Sequence, residues 1–137
     1  MSVEDNKATL RRIFGEVFDK KDYSIIPELI DDTWTYKNPI GLEFRGPKGF
    51  KQFAENLING FPDTQMTIDQ IIGENDTVAA YVTWRGTFSG KFGNLEPTGK
   101  KIDLPMTFFI QFKDGKEIKT NSITDMQSFY QQLGIAD

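Results

Sequence analysis

Ile102-Asp103-Leu104-Pro105-Met106-Thr107-Phe108-Phe109-Ile110-Gln111-Phe112-Lys113-Asp114-Gly115-Lys116 is the stretch on which the fold turns. Apolar side chains at the even positions from Ile102 to Phe112 recur with the period of a half-buried strand. Asp114-Gly115 then supplies the two residues that a type I′ turn needs at positive φ. Counting outward from that turn pairs Lys113 with Lys116, Phe112 with Glu117, Phe108 with Asn121, Met106 with Ile123 and Leu104 with Asp125. This register puts Asn121 and Asp125 on the apolar face. A carboxylate among Leu, Met and Phe is costly to bury unless it is paired, protonated or lines a cavity, so the register points to a functional site. Two alternatives stay open: a bulge or frayed end that turns Asp125 back to water, and Asp125 as the cap of the last helix.

Composition narrows the chemistry. The 137 residues suit one domain spanning 1–137, and 12 Phe among them suggest a phenyl-lined interior or pocket. A net charge of −4 argues against nucleic acid as a partner, since that binding needs clustered Lys and Arg. There is no Cys and no His, so thiolate metal sites and Ser-His or Cys-His nucleophilic catalysis are excluded. The reading calls for no metal and no cofactor. No basic leader followed by an apolar run and no membrane-length apolar stretch is present, so a cytoplasmic protein without a membrane partner is expected.

Upstream, Val3 to Lys20 reads as an amphipathic helix with Leu10, Ile13, Phe14, Val17 and Phe18 on one face, and Ser2 and early acids at its start. Ser24 to Ile30 reads as a short helix with Pro27 in its first turn, and Thr33 to Lys37 as a strand ending at Asn38-Pro39. Gly46-Pro47 opens a third helix carrying Phe50, Phe53, Leu57 and Ile58, which Gly60 stops. Thr64 to Ile72 and Thr77 to Thr87 form another hairpin. A three-residue loop, Glu74 to Asp76, keeps its apolar residues together by pairing Ile72 with Val78, Ile68 with Val82 and Met66 with Trp84. Ser89 to Lys101 is a long connection suited to a mobile rim or lid, and Ser128 to Leu133 is a short last helix ending at Gly134. Helices first and antiparallel strands after define an α+β fold, with N-terminal helices packed on a curved sheet around a cone-shaped cavity. Its expected lining is Phe14, Phe18, Trp34, Phe53, Leu57, Trp84, Leu104, Met106, Phe108 and Ile123.

The order Trp34-Thr35-Tyr36-Lys37-Asn38-Pro39, Gly46-Pro47-x-Gly49-Phe50, Phe61-Pro62-Asp63, Trp84-x-Gly86-Thr87, Pro97-Thr98-Gly99-Lys100 and Asp114-Gly115-Lys116 to Asp125 resembles the SnoaL-like polyketide cyclases, members of the group with the nuclear transport factor 2 fold. The resemblance runs from about Asn6 to Gly134. It implies an aspartate on the last long strand as general acid/base for an intramolecular aldol closure, and Asp125 stands at that position. Where relatives carry a His before the Pro, this chain has Lys37. Where they carry a Trp before the aspartate, it has Thr120-Asn121. Asn121 then becomes a hydrogen-bond donor to an enolate oxygen. Tyr36 and Asn38, two apart on one strand face, resemble the Tyr-x-Asn pair with which limonene-epoxide-hydrolase relatives position water. The epoxide-hydrolase triad itself is broken, because Thr83 and Thr87 flank Arg85, unless Asp103 substitutes. The leading expectation is therefore a SnoaL-like enzyme acting by proton transfer on an apolar or polycyclic small molecule, with Asp125, Asn121, Tyr36 and Asn38 as its catalytic groups. The alternatives are an epoxide-hydrolase-like enzyme and a non-catalytic ligand-binding or dimerisation domain. The opposite sheet face, with Phe109 beside Thr107 and Gln111, suits a homodimer.

Overall fold

A computed structural model of the chain describes residues 2–135. Helix α1 (Val3–Arg12) begins at a capping box: Ser2 Oγ accepts from the Asp5 N–H, and the Asp5 carboxylate accepts from the Ser2 N–H. It continues as a wider π-helical segment, Ile13–Asp19, that buries Ile13, Phe14, Val17 and Phe18. A single 3-10 turn (Tyr23–Ile25) leads into the short α2 (Ile26–Leu29), and Pro27 lies in its first turn, where no amide bond is lost. Strand β1 (Ile30–Lys37) starts three residues earlier than Thr33, where the sequence pattern places it, and a brief β2 (Glu43–Arg45) precedes α3 (Gly46–Gly60). Strands β3 (Gln65–Glu74), β4 (Thr77–Thr87), β5 (Lys101–Lys113) and β6 (Lys116–Thr124) follow, then α4 (Met126–Leu133).

The six strands form one sheet in the order β2-β1-β6-β5-β4-β3. All neighbours are antiparallel except β1 and β6, which run parallel, so the sheet is mixed and not wholly antiparallel. Along β5, every even position from Ile102 to Phe112 is buried against the helices. The other face carries Ile72, Tyr81, Phe109 and Ile123, all roughly half exposed or more. The loop between β4 and β5 is seated on the C-terminal end of α3: the Ser89 and Gly90 N–H groups donate to the Gly60 carbonyl, and a Cβ on Gly90 would lie 1.9 Å from the Asn59 carbonyl oxygen.

Two registers differ from the pattern-based ones. The β3–β4 loop has two residues, Asn75 and Asp76, not three, and Glu74 pairs with Thr77. The surplus residue is taken up by a bulge at Asp69, whose carboxylate accepts the Thr83 hydroxyl across the pair, so Ile68↔Val82 and Met66↔Trp84 hold while Ile72 turns outward. The β5–β6 hairpin turns on Asp114 and Gly115, both at positive φ, and pairs Lys113 with Lys116 and Phe112 with Glu117 as counted. Beyond that point Ile118 has no partner. Gln111 pairs with Lys119, Ile110 with Thr120, Phe108 with Ser122 and Met106 with Thr124, which exchanges the two faces of β6. Asn121 and Ile123 are therefore exposed on the outer face, and the placement of Asn121, Ile123 and Asp125 beside Met106 and Phe108 does not hold.

Asp125 is the N-cap of α4, its Oδ1 accepting from the Ser128 N–H at 3.0 Å, and it is exposed. Asp125→Ala should therefore cost about 1 kcal/mol of stability in urea unfolding, whereas Asp125→Asn, which can still cap, should stay near wild type. An Asp125→Ala variant as stable as wild type would contradict the capping role.

Candidate active site

Between the helices and the inner sheet face lies an open-mouthed cavity of about 420 Å³. Its wall includes Phe14, Phe18, Trp34, Phe53, Leu57, Trp84, Leu104, Met106 and Phe108, nine of the ten residues expected there; Ile123 is not among them. The rings interlock at edge-on angles, Trp34 against Phe50 at 5.0 Å and Tyr36 against Phe53 at 5.0 Å between centroids. The rim is built from the β1–β2 turn (Asn38, Pro39, Ile40, Leu42), from Phe92, Gly93, Asn94 and Leu95 of the β4–β5 loop, and from Met126 and Tyr130 of α4. The long connection thus closes part of the mouth, with Phe92 stacked edge-on against Phe61 and Phe129.

One ionised-type side chain breaks this apolar wall. Glu117 is 2% exposed and lines the cavity, and among the described residues no Asp, Lys or Arg joins it there. The bulge at Ile118 explains the geometry. With one residue left out of the ladder, Glu117 and Thr120 both point inward although they are three apart, and the Thr120 hydroxyl donates to Glu117 Oε1 at 2.5 Å. The indole N–H of Trp34, on the neighbouring strand, donates to the same Thr120 oxygen at 2.9 Å. Burial in the apolar wall raises the Glu117 carboxyl from 4.5 to about 7, with the Thr120 hydroxyl and the Trp34 indole pulling back in favour of the charged form. A carboxyl poised there can both take and return a proton at neutral pH.

The other sequence-derived candidates divide. Tyr36 and Asn38 both reach the cavity wall. The Tyr36 hydroxyl pairs with Ser122 Oγ at 2.7 Å, and burial raises its pKa, which keeps it a neutral phenol. Asn38 is half committed, its Oδ1 accepting from the Ile40 and Leu42 N–H groups that shape the rim turn. Asn121 and Asp125 are not brought to the cavity. Arg85 pairs with Asp103 at 3.2 Å on the exposed sheet face, so an Asp-Arg arrangement of the epoxide-hydrolase kind is not assembled in the cavity. Glu117, Thr120 and Ser122 were missed. The signal was available for the first of them, since Glu117 pairs with Phe112, an inward-facing residue, in the counted register itself. Among the described residues no group of three or more carboxylates is placed to hold a metal ion, and no helix is long and apolar enough to cross a membrane.

Residues 8–133 match the model of the family described as SnoaL-like polyketide cyclase. The chain belongs to that family. The fold agrees. It superimposes with a TM-score of 0.85 on a candidate SnoaL-like polyketide cyclase from Jannaschia sp. that is 21% identical, over 98% of this chain and 94% of that one. IdmH from Streptomyces antibioticus, a candidate polyketide cyclase, is 25% identical with a TM-score of 0.78 over 95% and 99% of the two chains. A Catenulispora acidiphila protein with a ketosteroid isomerase-like fold, solved with trimethylamine, is 15% identical with a TM-score of 0.78 over 93% and 92%. No curated protein sequence matches this SnoaL-like chain.

The raised carboxyl has a stability consequence. Unfolded, Glu117 ionises near 4.5; folded, it keeps its proton to about 7. Between those values the unfolded state binds fewer protons, so this group lowers stability as pH rises, by about 3 kcal/mol in all. Glu117→Gln should gain on wild type across that window in urea unfolding and keep a constant lead above it. Parallel pH profiles for the two proteins would contradict a protonated, buried Glu117.

Proposed function

We propose that this protein is a cofactor-independent enzyme of the SnoaL-like cyclase type that moves a proton within an apolar, polycyclic or polyketide-like small molecule, with Glu117 and not Asp125 as the acid/base. The observation that carries this reading is the carboxyl that stands alone among the described residues of the cavity wall, buried, held by Thr120 and poised near neutrality. A carboxylate of that kind is desolvated and therefore a stronger base toward a C–H next to a carbonyl than the same group in water. In the reaction the C–H proton passes to Glu117 and its bonding pair becomes the enolate. The enolate carbon attacks a second carbonyl of the same molecule, forming the new C–C bond. Glu117 then returns its proton to the resulting alkoxide, which leaves the enzyme as it began. Tyr36, neutral and paired with Ser122, and Asn38 at the rim supply hydrogen bonds to the substrate's oxygens. With no cation on the wall among the described residues, the cavity favours an uncharged substrate over a carboxylate or phosphate.

Base strength can be read without the natural substrate, using a nitrobenzisoxazole, whose ring opens to a coloured cyanophenolate when a base removes its one acidic C–H proton. Wild type should accelerate the opening with a rate that rises through a midpoint near 7. Glu117→Gln should lose about 10²-fold or more, and Asp125→Asn should stay within about twofold. A Gln variant that keeps the wild-type rate would sink the assignment and leave a ligand-binding domain.

The same proposal includes a homodimer formed through the outer sheet face. Tyr81 pairs with Thr107, Thr107 with Ile123 and Phe109 with Asn121, so exposed apolar side chains of β4, β5 and β6 form one continuous band. Sedimentation at tens of micromolar should give twice the 15.7 kDa chain mass, and Ile123→Glu should give the monomer. A wild-type monomer would contradict it.

A further inference from the structure

The hydrogen bonds behind Glu117 have a direction. An indole N–H can only donate, so Thr120 Oγ1 accepts from Trp34 and spends its one proton on Glu117 Oε1. Reversing the second bond would give Thr120 two donors and leave its own proton without an acceptor in a buried place, where an unmade hydrogen bond is costly. Thr120 engages the carboxyl through Oε1 and Glu117 lines the cavity, which leaves Oε2 as the oxygen on the open side.

We propose that Trp34 is a positioning residue: by fixing the Thr120 hydroxyl as a donor to Oε1, it places the acid proton of Glu117 on Oε2, the oxygen that meets the substrate. The proposal rests on reading Glu117 as the acid/base and adds which oxygen acts and what chooses it. The carboxyl keeps one orientation in both protonation states, Oε1 always accepting from Thr120, so Oε2 alone takes the C–H proton and gives it back. Other titratable groups are kept away from this choice. Among the described residues, Tyr36 and Tyr130 are the remaining ones on the cavity wall, and Lys116, next to Glu117 on β6, is turned onto the Pro27 carbonyl.

The molecule contains its own control. Trp84 donates to Thr64 Oγ1 at 3.3 Å, and Thr64 donates at 2.6 Å to the Phe61 carbonyl, the same chain ending on an acceptor that cannot titrate. With 2 Trp in the protein, a ¹⁵N-labelled sample shows both indole N–H signals in one spectrum. The Trp34 signal should move with pH through the Glu117 midpoint near 7 while the Trp84 signal stays still, and Glu117→Gln should abolish the movement. Thr120→Val should raise the Glu117 carboxyl midpoint by about half a unit to one unit, and Thr120→Ser should restore it. Trp34→Phe should raise it less, because the hydroxyl remains but is free to turn. A Trp34 signal that is flat while Glu117 titrates, or a Thr120→Val midpoint equal to wild type, would overturn the proposal. Failure of the acid/base reading is seen separately, as nitrobenzisoxazole opening that survives Glu117→Gln while the indole still titrates.

Discussion

Strand β6 carries one residue more than β5 can pair between Gln111 and Phe112, and because side chains alternate along a strand, that surplus at Ile118 decides which polar groups see the cavity. Before the bulge, Glu117 faces inward opposite Phe112. After it, Thr120, Ser122 and Thr124 face inward, and Asn121 and Ile123 face out. The same irregularity shortens the inward spacing so that Thr120 reaches back to Glu117, and it aligns Thr120 beside Tyr36 and within reach of Trp34 on β1. The polar part of the cavity wall and the exposed face of β6 both follow from this one unpaired residue.

Burying a carboxyl in a wall of rings is unfavourable for folding, and the protein has arranged for only part of the cost to be offset. A single hydroxyl and an indole support Glu117, enough to hold its orientation and too little to make it a strong acid. A fully satisfied carboxylate would be inert toward a C–H bond; an unsupported one would stay protonated and swing. The intermediate state, costly for stability and suited to proton transfer, is the pattern expected of the acid/base role proposed for Glu117.

Much of this architecture is legible in the sequence. Alternation from Ile102 to Phe112 gives β5 and its buried face, Asp114-Gly115 gives the turn, and the apolar spacing of the first and third helices together with the strand patterns supplies nine of the ten expected wall residues, four from the helices and five from the strands. The bulges are not legible, since Ile118 and Asp69 look like ordinary strand residues, and a bulge is settled by long-range partners such as Thr83 for Asp69. The β1–β6 parallel pair is equally hidden, because it joins residues that lie far apart in the chain. Asp125 stands at the end of the misregistered segment, so the face argument moved it from the capping position to the cavity. Glu117 sits before the bulge, where counting from the turn is still reliable, and its inward direction could have been read from Phe112.

The site depends on one buried glutamate in the cavity wall titrating near neutrality. The direct measurement is a ¹³C NMR titration of the protein with labelled glutamate side-chain carboxyls. One carboxyl should titrate with a midpoint near 7 and vanish from the spectrum of Glu117→Gln. If every glutamate titrates in the ordinary acidic range, Glu117 is a solvated or paired carboxylate and the account of this site is wrong.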